Sequence, residues 1–393
     1  MADENSAVAE PTGSGPSAKL SELGLLFLRL GLTAFGGPAA HIAIMENEVV
    51  RRRRWLSPER FLDLLGVSTL IPGPSSTELA IFIGYERAGW LGLVLAGVCF
   101  IFPAAVLVAL LASVYVSFGT LPRVGGALYG IKPVVIAVVV QALSGLAPKA
   151  IKKSVGLGVL ALVTGAASAL GAEALLVLIG GGVASALATQ VANRDDSPRA
   201  FSPGVLGGLA AGGASVAAPV SLGTLFLTFL KIGATVFGSG YVLLAFLRAD
   251  LVDRLHWLTE SQLLDAVAVG QVTPGPVFTT ATFIGYVVGG RWGALVATVG
   301  IFLPGFALVA FMRPVVARIR RSPIAGAFLD GVNVGALALM AVVTVQLART
   351  ALVDLPTIVM AVVGATLLIR FKVNATWIVA GGAIVGVLVK GAQ

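Results

Sequence analysis

The stretch "STLIPGPSSTELAIFIGY", residues 68 to 85, places Pro-Gly-Pro inside a run otherwise apolar enough to cross a bilayer. Proline lacks a backbone donor and clashes with the preceding turn. A helix entering this stretch therefore ends before Pro72, and a new one begins with Pro74 at its first position. The break has a twin in "AVGQVTPGPVFTTATFIGY", residues 268 to 286, where Pro274, Gly275 and Pro276 repeat Pro72, Gly73 and Pro74. The same offset carries "FLRLGLTAFGG" (27 to 37) onto "FLKIGATVFGS" (229 to 239), Trp55-Leu56 onto Trp257-Leu258 and Asp63 onto Asp265. One deleted residue later, Phe82-Ile83-Gly84-Tyr85 falls on Phe283-Ile284-Gly285-Tyr286, Pro103 on Pro304 and Gly130 on Gly331. The chain is thus a duplication. Residues 1–20, polar and rich in Pro, Gly and Ser, read as a disordered tail without the basic and apolar regions of a cleavable signal. A first repeat follows over 21–191, then a polar linker over 192–204 ("ANRDDSPRAFSPG") and a second repeat over 205–393.

Of the 393 residues, 57% are hydrophobic and 12% charged, against roughly 25% charged in soluble domains. Apolar blocks long enough for a hydrocarbon core of about 30 Å recur along the chain. The expected fold is all-α: a polytopic membrane protein with about 10–13 hydrophobic membrane segments, some of them broken or re-entrant. The net charge of +8 sits in short loops between apolar blocks, which argues for membrane topology and against nucleic acid. Cys99 is the single cysteine, and His41 and His256 are the only histidines. That excludes an internal disulfide and argues against a transition-metal enzyme; no metal or cofactor is expected.

The loops orient the halves. RRRR (51–54) precedes the first Pro-Gly-Pro, whereas "RADLVDRLHW" before the second balances its charges. The bias reverses between residues 118–124, which carry only Arg123, and "MRPVVARIRRSP". It reverses again between "PKAIKKS" and "RTALVDLP". Equivalent loops prefer opposite sides of the membrane, so the repeats read as inverted; residues 51–54 and 86–88 fall on one side, so the segment between them reads as a re-entrant hairpin turning at Pro-Gly-Pro.

Paired broken helices in an inverted duplication are how carriers build a site at mid-membrane. A helix starting at Pro74 offers free N–H groups and a positive dipole end, which favour an anion. Ser75, Ser76 and Thr77 add hydroxyls, as do Thr279 and Thr280 after Pro276. The second paired break, Phe35-Gly36-Gly37-Pro38 and Phe237-Gly238-Ser239-Gly240, supplies two more helix starts, with Ser239 a candidate cap. Arg29 aligns with Lys231, each just before a break, where a cation suits an anion or snorkels to an interface. Glu78, in the first turn after Pro74, has three readings: a partner for the helix dipole, a partner for Arg29 or Arg87, or the carrier of a coupling proton. Asp63 and Asp265 suit a contact between repeats, Lys132 and Asn333 a shared cavity wall, and His41 a satisfied polar group.

At these residues the sequence resembles the chromate ion transporters, in the long-chain form with two homologous halves. The resemblance lies in an FGG-containing first segment, a Pro-Gly-Pro turn with a FIGY-like run, and the same pair again, covering nearly all of the chain from about residue 20. It implies a bacterial inner-membrane carrier that exports chromate, a tetrahedral oxyanion similar to sulfate, on the membrane potential or a proton gradient. By the same resemblance the motif residues are Phe35 to Pro38, Pro72 to Pro74, Phe237, Gly238, Gly240 and Pro274 to Pro276. Two departures stand out: FGSG with Tyr241 in place of FGGP, and the negative Glu78 beside an anion site. A carrier or exchanger for sulfate or another oxyanion, a channel and an integral-membrane enzyme are the alternatives, and a homodimer is left open.

Overall fold

A computed structural model describes residues 16–35, 37–118, 122–152, 154–192, 220–237, 242–319 and 322–391. Among the described residues, fourteen α-helices fall into two sets of seven. The first half holds α1 (Pro16–Thr33), α2 (Gly37–Glu46), α3 (Pro58–Ser68), α4 (Ser75–Phe118), α5 (Pro122–Ile151), α6 (Val155–Ala169) and α7 (Ala174–Ala192). The second repeats them in order as α8 (Leu222–Thr235), α9 (Leu243–Leu247), α10 (Glu260–Val272), α11 (Thr280–Ile319), α12 (Pro323–Ala351), α13 (Leu355–Ile369) and α14 (Ala375–Gly391). The described residues contain no strand. The helix α1 begins at Pro16, inside the stretch that composition assigned to the tail, because Pro16 suits a first helical turn and Ala18, Lys19 and Leu20 continue it. Residues 1–15 and most of the linker lie outside the described residues.

Five of these segments are long and apolar enough to cross a membrane, and four more are shorter apolar helices. Their outward faces carry Leu162 and Trp377, each 75% exposed, which only lipid can cover favourably. The long α4 is two helices. Ala88 and Gly89 leave helical geometry, Gly89 at φ 61°, and the chain doubles back so tightly that Gly84 packs against the carbonyl of Gly92. The second half turns identically at Gly289 and Gly290, with Gly285 against Gly293. Residues 75–87 thus form a return arm of about 20 Å and residues 90–118 a full span. With α3 as the inward arm, this is the expected re-entrant hairpin, turning at Pro-Gly-Pro.

The halves interlock. In the first, α5 packs on α13 and α14 of the second, while α12 packs on α6 and α7 of the first. The crossings are related by the duplication: Gly130 meets Gly382 and Gly386, and its equivalent Gly331 meets Gly181 and Ser185. Backbones approach this closely only where a side chain is missing. Both crossings are antiparallel, since Gly126 lies by Val387 while Gly364 and Gly382 reach Val134, and Phe328 lies by Gly182 while Gly335 reaches Val177. The spans of α4 and α11 also meet in opposite senses: Gly97 packs on Phe306, and their equivalents Thr298 and Ala105 line one groove. Paired latches close the interlock. Lys152 Nζ donates to Asp330 at 2.6 Å, and at the equivalent place Tyr129 Oη donates to Asp354 at 2.6 Å.

Candidate functional site

The two Pro-Gly-Pro turns are tied to the breaks of the opposite half. Gly73 N–H donates to the carbonyl of Val236 at 2.7 Å, and Gly275 N–H donates to the carbonyl of Ala34 at 3.0 Å. Ala34 and Val236 are equivalent residues, each directly before a Phe-Gly break, so the bonds are exchanged between repeats. Both glycines hold positive φ, 127° and 88°, a conformation that side chains disfavour. A Cβ on Gly275 would sit 2.6 Å from Ala104 Cβ, and one on Gly73 would collide with Glu78 Oε1. Thus the ends of α1 and α8 and the starts of α4 and α11 meet at one place, buried from Pro274 to Thr280 and again from Gly73 to Pro74.

Around it the first half is more polar. His41 is 1% exposed; its Nε2 lies 3.0 Å from the Ala34 carbonyl and its Nδ1 3.4 Å from Ser76 Oγ. A carbonyl only accepts, so Nε2 carries the hydrogen and Nδ1 is left to accept from Ser76. The ring edge meets Phe100 at 5.5 Å between centroids. The amides of Thr77 and Glu78 both bond the Pro74 carbonyl, at 2.7 and 3.2 Å, leaving those of Ser75 and Ser76 as the open donors of the turn. Thr77 Oγ1 and both Glu78 oxygens are buried with no partner among the described residues.

In the second half a 3-10 turn, Val277–Thr279, precedes α11. Thr279 and Thr280 hydroxyls donate back to the Pro276 and Val277 carbonyls, both at 2.8 Å. The sequence reading has the same two hydroxyls serve a ligand; here both bond within their own turn. Gly37 and Pro38 open α2 as expected, and Phe35 is exposed beside them. Gly36, Gly238, Ser239 and Gly240 lie outside the described residues, as does the expected cap at Ser239.

The cations divide. Lys231 donates to Asp250 at 3.1 Å, and Arg254 reaches the same carboxylate at 2.9 Å. With Asp250 they line a cavity of about 320 Å³ together with Arg248, Asp253 and Glu173, so the formal charges there balance. Arg29 is exposed, and its side chain has no partner among the described residues. Both cations stand about 7–8 Å along their helices from Ala34 and Val236. Arg87 pairs with Glu22 at 3.7 Å and lies over Trp55 at 4.8 Å; it does not reach Glu78, and neither does Arg29. Asp265, 3% exposed, forms the contact between repeats: Lys132 faces one oxygen at 3.2 Å, off the line of a hydrogen bond, and Tyr115 donates to the other at 2.9 Å. Lys132 also donates to Ser261 at 2.6 Å.

Sequence reasoning missed a paired π-helical turn before α3 and α10, Asn47–Arg52 and Arg248–Arg254. Each buries one acid, Glu48 or Asp250, and each is followed by a left-handed residue, Arg54 at φ 51° and His256 at φ 53°. Burial pushes the Glu48 carboxyl up, but hydrogen bonds and charge from Arg52 and Arg53 outweigh it and hold the group below its ordinary value. The offset aligns Glu48 with Asp250 and Arg52 with Arg254, which is the signal that marks the pair.

Broken helices joined across the two halves of a duplicated, multi-pass helical protein are the arrangement from which membrane carriers are built. The chain belongs to the chromate transporter family, whose model matches residues 21–186 and again 223–387. It is 34% identical over 383 residues to a chromate transport protein of Cupriavidus metallidurans, covering 95% of this chain and 94% of the relative. It is 33% identical over 395 residues to a chromate transport protein of Pseudomonas aeruginosa, covering 95% and 93%. A probable chromate transport protein of Synechococcus elongatus is 33% identical over 346 residues, covering 87% and 88%. No solved structure matches the chain.

Proposed function

We propose that the protein exports chromate across a bacterial inner membrane, energised by the membrane potential or a proton gradient, and so confers chromate resistance. The observation that carries this reading is the pair of exchanged hydrogen bonds, Gly73 to Val236 and Gly275 to Ala34. They bring the breaks of both halves together, and the open amides at the start of α4 favour an anion there. The tetrahedral dianion lies between the turns Pro72-Gly73-Pro74 and Pro274-Gly275-Pro276, held by the Ser75 and Ser76 amides and by the hydroxyl of Thr77. Arg29 and Lys231 draw the anion in from one and a half turns away. Rocking of one part of the molecule against another then exposes the same point to either side in turn.

The test is chromate uptake by everted vesicles holding the protein, energised or not, with excess sulfate as competitor. Saturable, energy-dependent uptake that is lost in a Pro74→Ala, Pro276→Ala double variant is the expected result. Sulfate that competes at equal concentration assigns the wider oxyanion class. No uptake above empty vesicles with correctly inserted protein withdraws chromate as cargo.

A further inference from the structure

Glu78 stands apart from every other acid described. It is 0% exposed, and both carboxyl oxygens lack a partner among the described residues. The carboxyl folds back into the Pro-Gly-Pro turn, where only the missing side chain of Gly73 leaves room for it. From the other half, Gly305 of α11 closes over it: a methyl group added there would lie 3.6 Å from Oε1. Beside it Thr77 Oγ1 is also buried and has no partner among the described residues. The device belongs to one half. Where the first repeat has His41 and Glu78, the second has Leu243 and, across the deletion, Thr279 or Thr280.

The charged groups on the elements packed against α4 are committed or turned away. On α1, Glu22 pairs with Arg87, and Arg29 is exposed. On α3, Arg60 bonds Glu86, and Glu59 and Asp63 are exposed. On α10, Asp265 faces Lys132 and Glu260 faces Arg248. Arg291 of α11 is exposed beside the Gly289–Gly290 turn. On α2, Glu46 bonds Arg51, and His41 reaches the turn only through Ser76. No cation among the described residues offsets Glu78.

Resting on the reading that the oxyanion binds at the joined turns, we propose that Glu78 takes up a proton as the anion binds, so that the two occupy the site and cross together. An ionised carboxylate there would meet a dianion held by the amides of its own helical turn, with no donor to share the charge. A proton from water on one carboxyl oxygen removes that repulsion and is released when the anion leaves. Linkage requires the converse: bound anion strengthens proton binding by the same factor. Each cycle then moves one dianion with one proton, a net single negative charge, which an inside-negative potential drives outward.

The purified full chain decides this. Chromate and sulfate are titrated into weakly buffered wild type and Glu78→Gln, following both heat and pH. Wild type is expected to take up to one proton per anion bound. Its affinity, expressed as a ratio to that of Glu78→Gln so that the ligand's own titration cancels, is expected to fall about tenfold per pH unit once the carboxyl ionises. Equal slopes in the two proteins, or proton release on binding, overturn the proposal while leaving the anion site standing. No binding by wild type at any pH overturns the site reading and this proposal with it. If Glu78→Gln does not fold, wild type and His41→Gln still decide: uptake retained in His41→Gln supports Glu78, and uptake lost there assigns the proton to the histidine.

Discussion

At the scale of single residues the turn glycines carry the sharpest consequences. Gly275 combines positive φ with a Cβ position 2.6 Å from Ala104 Cβ, whereas Gly89, at φ 61°, has nothing within 4 Å. Gly89→Ala is therefore expected to cost about 1 kcal/mol of backbone strain alone. Gly275→Ala should cost about 2–4 kcal/mol, adding overpacking and a disturbed bond to Ala34; thermal unfolding in detergent ranks the two. A second residue prediction concerns Asp354, which caps α13. Hydrogen bonds from Tyr129 and then Thr357 hold its carboxyl below the usual carboxylate range. Its stabilising contribution is thus present above the unfolded value of 3.8 and fades as pH falls through the lower folded value. Tyr129→Phe should lower stability most at pH 7, where the contribution is fully present, and least below the folded value, where the carboxyl is protonated with or without the tyrosine, as read by hydrogen exchange at the start of α13. The turn glycines were legible because Pro-Gly-Pro declares its backbone. Ala34 and Val236 were not, because any residue has a carbonyl, and only the fold determines which one a turn finds.

Among elements, the antiparallel crossings of α5 with α14 and of α12 with α7 hold the halves together by backbone contact. Adding a methyl group at Gly130 puts it against the Gly382 carbonyl and 2.8 Å from Gly386 Cα. Gly130→Ala is expected to lower stability by about 1–3 kcal/mol. Lys152→Ala, which removes a half-exposed pair with Asp330, should cost less than about 1 kcal/mol. Unfolding midpoints of the two variants in one detergent check the order. The hairpins were readable from the loop charges that place residues 51–54 and 86–88 on one side. The exchange of α6–α7 and α13–α14 between halves was not, since apolar helices with small residues fit many partners and amphipathic pattern has no force in lipid. The π-helical turns also left no mark in composition, because an extra residue in a helical turn follows from packing around Glu48 and Asp250.

For the whole molecule, the inverted relation predicts that single cysteines introduced by Arg52→Cys and Asp253→Cys, in a Cys99→Ser background, label from opposite sides of the membrane. The interlock predicts that a chain cut within the linker works only as two co-expressed pieces, and that either piece alone is degraded; protein abundance and vesicle uptake are the readouts. Duplication, membrane class and family were all present in the sequence through recurring motifs and loop charge. The knitting of one repeat through the other is a property of the assembled chain. It also sets a schedule. When the ribosome finishes α7, the glycine face of α5 still lacks α14, which is nearly two hundred residues from being made. At ~5–20 residues per second that gap lasts on the order of 10–40 s. The first half must wait in the bilayer through that interval with its closest-fitting surface unoccupied, and any accessory factor that shields small-residue helices during insertion has this window in which to act.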